Sequence, residues 1–331
     1  MRLAQLDRAF GYGPKGRGFE SSNARQEKGV LTGTPLFISN YYHVYKSDKA
    51  DKIIIIMSAY RAERKPMRFD MHCHTKEGSL DGKLTLAEYV SLLKEKGYQG
   101  MLITDHNSYD AYRYYRKYKA DPVFQDFVVL KGIEYDTIDA GHILVIMPPS
   151  VKLPLLELRG LSVSALVEIV HFFGGILGPA HPCGEKYLSL CNTRRYRKNP
   201  HILKSFDFME TYNACEPPEV NEAAAKLARH YGLAGFGGSD AHKENCVGLG
   251  YTDLPDTIQN EADLIDYIRS GHPASSGGEH YRYTTRERIG ALNNILLYSF
   301  WVFNKGAGLL RLRKRRHEVK DYKKSLQDTA S

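Results

Sequence analysis

Two features of small stapled or secreted domains are missing from this 331-residue sequence. Its five cysteines (73, 183, 191, 215 and 246) are odd in number, and no two form a CxxC pair. That excludes a disulfide framework or a thiolate zinc knuckle, and reduced thiols are expected. Long apolar runs are also lacking. The longest, such as ILLYSFWVF at 295–303, fall well short of the ~20 residues that span a bilayer. The N-terminus has no apolar signal-peptide core. A soluble, cytoplasmic protein is the expectation. Acidic excess is missing too: the net charge is +8. Yet 311–324 holds eight Lys or Arg against Glu318 and Asp321, so much of the surplus belongs to the tail and says little about the core.

The hydrophobic fraction of 42% and charged fraction of 25% suit a globular protein with a sizeable core. Residues 1–66 differ from the rest. GYGPKGRGFESSNARQEKG is rich in Gly, Ser and charge and has no periodicity, which predicts disorder. Its formal GxGxxG, Gly11 to Gly16, follows no strand and contains Pro14, so it predicts no dinucleotide site. The opening residues resemble spurious translation through a neighbouring RNA gene, whereas MRFDMHCHT from Met67 reads as a natural first strand. The expected division is an N-terminal extension at 1–66, disordered or outside the functional protein, a catalytic domain at 67–285, and a basic amphipathic tail at 286–331.

From Met67 a rhythm of strand, polar loop, helix and glycine sets in. Thr85 to Glu88 is a capping box opening a helix to Lys96, which Gly97 ends. GMLITDHN, VVLKGIEYD, HILVIMP, ILGPAHP and LAGFGGSDAH read as strands, while SALVEIVHFFGG, NEAAAKLARHYG and NEADLIDYIRSG read as helices. Such alternation predicts parallel strands in a barrel or doubly wound sheet. Polar residues gather after each apolar run, where barrel active sites lie.

Those positions collect His72, His74, His106, His142, His181 and His242 with Asp81, Glu134 and Asp240; Asp105 precedes His106. One histidine after a strand is usually just a satisfied polar residue. Six at successive strand ends, with carboxylates, predict a metal centre, and imidazole with carboxylate suits Zn, Mn or Fe. His72 and His74 stand two apart, so in a strand they share a face while Cys73 points into the core.

FDMHCHTKEGSLDG, ITDHN, GIEYD, AGHILVIM, GPAHP and GGSDAH, in this order, resemble the PHP superfamily, named for polymerase and histidinol phosphatase domains. The resemblance covers about 67–285. It implies an α/β fold, a distorted (β/α)7 barrel with two or three divalent metals at the strand C-termini. His72, His74, Glu134 and Asp240 would hold the first. Glu134 would bridge to a second, also bound by His142 and His181, and Asp81, His106 and His242 would hold the third. Leu80 separates Ser79 from Asp81 where the family often reads Ser-Asp-Gly. The implied activity is hydrolysis of phosphate esters, by a metal-bound hydroxide, on nucleotides carrying more than one phosphate or on short oligonucleotides trimmed from the 5′ end. A histidinol-phosphatase-like monoesterase and a non-catalytic accessory module are the alternatives.

Clustered divalent ions lower the pKa of bound water to ~7 and grip phosphoryl oxygens. Asp240 or His242 would help move the proton, and Asp105 would orient an imidazole. Arg194, Arg195 and Arg197, with Lys198, in NTRRYRK would hold substrate phosphates, unless they are simply a solvated loop. The tail from Glu287 mixes apolar, aromatic and cationic residues. It reads as a helix packed on the barrel or a protein partner, as an element for a membrane surface or nucleic acid, or as a frayed end.

Overall fold

The computed structural model describes residues 66–184 and 188–282 and four further helical positions, Leu292, Ile295, Ser299 and Val302. The readings of 1–65 and of most of the tail fall outside the described residues. Among the described residues, no helix is long and apolar enough to cross a membrane.

Seven strands follow one another around a distorted barrel: β1 (Met67–Cys73), β2 (Gly100–Ile103), β3 (Val128–Asp136), β4 (His142–Ile146), β5 (Ile176–Pro179), β6 (Phe208–Asn213) and β7 (Ala234–Gly238). Strands β1 to β5 are neighbours in one sheet, which β8 (Gly250–Leu254) and β9 (Ser275–Gly278) extend beyond β1. Strands β6 and β7 form a separate parallel pair. Backbone bonds close the two seams. Asp207 N donates to Leu177 O at 2.9 Å, Asp240 N to His72 O at 2.7 Å, and His74 N to Ala241 O at 3.2 Å. Glycine permits both approaches. A Cβ on Gly178 would lie 2.3 Å from Phe208 O, and one on Gly238 would lie 2.4 Å from His72 N.

The expected alternation of parallel strands and helices fails at β4 and at the β8–β9 hairpin, which joins β1 antiparallel. Strand β4 pairs antiparallel with both β3 and β5. Only residues 137–141 join it to β3, too few for a crossover helix. His142 therefore opens its strand rather than following it. Reversal of β4 brings its N-terminal end to the same rim as the C-terminal ends of its neighbours. Strand β6 and the β8–β9 hairpin were not legible in the sequence pattern.

The helices are α1 (Leu86–Glu95), α2 (Asp110–Tyr118), α3 (Val163–Phe172), α4 (Arg194–Lys198), α5 (Pro218–Tyr231) and α6 (Glu261–Arg269). The capping box at α1 forms in full: Thr85 Oγ1 accepts from Glu88 N, and Glu88 accepts from Thr85 N at 2.8 Å. Gly97 follows with φ +78° and Gly232 ends α5 in the left-handed region. Leu86, Tyr89, Val90 and Leu93 bury one stripe of α1, at helical spacing. Truncating a buried leucine such as Leu93 to alanine would cost roughly 2–5 kcal/mol.

Inside the barrel, Phe69, Met71, Leu102, Leu130, Leu144, Ile176, Phe208 and Phe236 meet, with Leu264, Ile265 and Ile268 of α6 in the same cluster. Because side chains alternate along a strand, Glu134 shares a face with Leu130, His142 with Leu144, Glu210 with Phe208, and Asp240 continues the parity of Phe236. The polar donors thus stand on an apolar floor. A register irregularity between Asp70 and Cys73 lets both Met71 and His72 turn inward from β1.

Candidate metal centre

Glu134 lies at the middle of the rim, 1% exposed. Its Oε1 stands 2.8 Å from His142 Nδ1, 3.1 Å from His181 Nε2 and 3.5 Å from His72 Nε2. Its Oε2 stands 2.9 Å from His106 Nδ1 and 3.4 Å from His74 Nε2. Five imidazoles thus surround one carboxylate. Asp240 Oδ1 lies 3.1 Å from His74 Nε2 and 3.6 Å from His72 Nε2. Asp81 Oδ2 completes an outer edge, 3.3 Å from His242 Nε2 and 3.7 Å from His106 Nε2. Three sets of donors are close enough to share an ion: His72, His74 and Asp240; His106, Glu134 and His142; and His74, His106 and His242. His106 belongs to two of these sets. The resemblance grouped it only with Asp81 and His242.

The backbone is bent to deliver two of these groups. His181 and Asp240 adopt φ of +30° and +49°, a region costly for residues other than glycine. Each stands just past the end of its strand, β5 or β7.

Hydrogen bonds set the direction of the lone pairs. His72 Nδ1 is 2.8 Å from Glu210 Oε1, so this nitrogen carries a proton and, in the neutral ring, Nε2 keeps its lone pair. Ser79 Oγ donates to Asp105 at 2.8 Å and stands 3.2 Å from His74 Nδ1, which orients that ring the same way. The two Nε2 atoms then face each other at 3.2 Å, beside oxygens of Glu134 and Asp240. A point ringed by acceptors calls for a cation. Glu134 Oε2, His142 Nδ1 and Asp81 Oδ1 are buried without a hydrogen bond of good geometry, which also fits a metal as their partner.

The titration pattern expresses the same demand for positive charge. Burial disfavours the charged ring of His72, yet Glu210, Asp240 and Glu134 together raise it well above the usual range. Burial works against His142 as well, but Glu134 and Asp136 lift it to about 10. His74 goes the other way: burial, then His242 and His106, push it down to about 3. Burial would raise Glu134, but His142, His106 and His72 hold it well below the usual carboxylate range. The carboxylates thus favour positive charge at His72 and His142, the charge a divalent ion would supply instead.

Several supporting groups escaped the sequence reading. Glu210 accepts from His72 Nδ1 and from His181 N, while Asn213 Nδ2 reaches both its oxygens and Asp240 Oδ2 at 3.1 Å. Its signal was a lone acid amid the apolar FMETY of β6. Asp136 binds His142 Nε2 at 2.8 Å and Arg159 at 2.7 Å. Asp105 accepts from Thr75 N, Thr75 Oγ1 and Ser79 Oγ, and its link to an imidazole runs through Ser79 rather than directly. Burial, against those hydrogen bonds, raises Asp105 to about 7. Cys73 lies in the core, its Sγ donating to Leu102 O at 3.1 Å. On α4, Arg194 and Arg197 are exposed. Arg195 is engaged by Ser164 Oγ and lies 4.0 Å from Asp139, neither of which belongs to the donor cluster.

Residues 218–273, from α5 through α6, match the PHP_C family model, described as PHP-associated. No curated protein matches the chain in sequence. Among solved structures, PsfC from Pseudomonas syringae superposes with a TM-score of 0.50 at 17% identity, covering 72% of this chain and all of that one. A Bifidobacterium adolescentis protein proposed to be a metal-dependent phosphoesterase gives 0.47 at 18% identity, over 63% of this chain and 98% of its own. Endonuclease Q, solved with a 27-mer duplex bearing an abasic lesion, gives 0.49 at 15% identity, over 65% of this chain and 60% of its own. The barrel and the match over residues 218–273 are features the chain shares with PHP-type proteins.

Proposed function

We propose that the chain is a metal-dependent phosphoesterase acting on phosphate esters of nucleotides or short oligonucleotides. The observation that carries this reading is the convergence of the ring nitrogens of His72 and His74 with Glu134 and Asp240 on one point, next to the second set around His106 and His142. His72, His74, Glu134 and Asp240 would hold one ion, Glu134 with His142, His181 and His106 a second, and Asp81 with His242 and His106 a third. Manganese, zinc and iron all suit this donor set. When bound, such ions acidify water and draw charge from a phosphoryl group.

The chain's own residues have separate duties. Glu210, Asp136, Ser189 and Ser79 hold imidazoles in place, as partners to metal-binding histidines generally do. Asp240 and His242 would carry the proton. Arg194 and Arg197, exposed on α4, and Arg159, which meets Asp136 beside His142, would hold phosphates that the ions leave free. These cations favour a substrate with several phosphates.

The test is a turnover screen of nucleoside bisphosphates, short RNA and DNA, and sugar phosphates, with manganese or zinc and with chelator. Elemental analysis should accompany it. Chelator-sensitive release of phosphate from nucleotides or oligonucleotides is expected. Turnover confined to small monophosphates would sink the substrate class, and no turnover by fully metallated protein would sink the enzyme itself.

A further inference from the structure

We propose that Cys183 and Cys191 form a reversible modification site, closing to an intrachain disulfide by exchange with a small disulfide such as oxidised glutathione. Both cysteines are free and half-buried, and their Sγ atoms stand 3.8 Å apart. A disulfide requires about 2.05 Å, so the two sulfurs must approach further. The backbone already clamps the two ends of the loop together. Cys191 N donates to Pro182 O at 3.0 Å, Gly184 N to His181 O at 3.0 Å, and the Asn192 side chain to Gly184 O. Of the other thiols, Cys73 and Cys215 face backbone carbonyls, and Cys215 also meets Cys246. Cys73 is fully buried with its Sγ on Leu102 O, and Cys215 Sγ rests on Ser239 O at 3.5 Å.

The exchange balances without any group from the metal centre. One thiolate attacks the glutathione disulfide, forms a mixed disulfide and releases one glutathione thiolate. The second cysteine then attacks the mixed disulfide, the Cys183–Cys191 bond forms, and a second glutathione leaves. Two protein thiols are oxidised, one small disulfide is reduced to two thiols, and the two protons pass to the leaving thiolates.

The position of this bond gives it consequence. Between the two cysteines lie Leu188, whose carbonyl accepts from His142 N at 2.8 Å, and Ser189, whose Oγ is 3.3 Å from His181 Nδ1. The cross-link would hold together the ends of the loop that binds the His142 backbone and the His181 ring. The site stands whether or not the phosphoesterase reading holds, and its test does not depend on turnover.

Trypsin separates the pair, because Lys186 places Cys183 in peptide 160–186 and Cys191 in peptide 187–194. Full-length protein is incubated with oxidised glutathione, its remaining thiols are alkylated, and it is digested and mapped by mass. The expected result is one species joining the two peptides, split by dithiothreitol and absent from Cys191→Ser. Recovery of the two peptides separately, alkylated or each carrying glutathione, would overturn the proposal. So would linkage of either cysteine to a different one, or persistence of the linked mass in Cys191→Ser.

Discussion

Glu134 and Asp81 are both carboxylates facing two or more histidines, yet they sit in different surroundings. Glu134 is 1% exposed, touches five imidazoles and is backed by Glu210, Asp136 and Ser189 acting on those rings. Asp81 is 18% exposed and meets His242, itself 32% exposed, and His106 at longer range. Of the inner group, Glu134, His72 and His142 are mounted on the paired strands β3, β1 and β4. The outer carboxylate comes from a loop between β1 and α1, where Leu80 interrupts the pattern seen in the family. Donors on paired strands are held by the barrel itself, and those on loops are held mainly by each other. The inner set should therefore bind first and more tightly.

The largest effect should come from the inner carboxylate. Glu134→Gln removes the charge shared by five rings, and turnover should fall by more than about 100-fold, with metal content dropping in elemental analysis. Retention of both would place the centre elsewhere. Next is Glu210→Gln, which leaves His72 Nδ1 without its carboxylate. Metal affinity, measured against a competing chelator, should weaken by roughly 10- to 100-fold, with the fold intact by circular dichroism.

Titration separates the same two regions more gently. His142 must be neutral to bind a metal, yet without one it is raised to about 10 by Glu134 and Asp136 against burial. Each proton displaced on binding should strengthen apparent affinity about tenfold per pH unit as pH rises toward that value. The metal-free protein should show the opposite trend. The stability contributed by protonated His142 is fully present below its unfolded value near 6.5 and is lost as pH rises toward 10. Urea midpoints of the apo protein across that interval would measure it, and a flat profile would count against the charge balance described. The smallest effect is expected from Asp81→Asn. One ion should be lost from the stoichiometry while turnover falls by no more than about tenfold. A loss as deep as that of Glu134→Gln would erase the distinction between inner and outer donors.

Much of the barrel could be read from the chain. The Thr85–Glu88 cap, the glycine stops at Gly97 and Gly232, and the apolar runs of β2, β3, β5 and β7 are local signals, set by propensity and spacing. His72, His74, Glu134, His142, His181 and Asp240 announced themselves by ending or opening such runs. Strand β6 did not, since FMETYN alternates no more strongly than a loop, and Glu210 went unnoticed with it. The reversal of β4 was likewise hidden, because an apolar strand carries no mark of its direction.

Sequence alone determined which residue types the rim offers and where the elements begin, because caps, turns and side-chain alternation are short-range effects. Only the closed barrel decided which donors meet. The seams at Gly178 and Gly238, the turned-back β4 and the left-handed bends at His181 and Asp240 bring together atoms from chain positions more than 150 residues apart. Proximity of that kind comes from packing the whole circle at once, and no local stretch of sequence contains it.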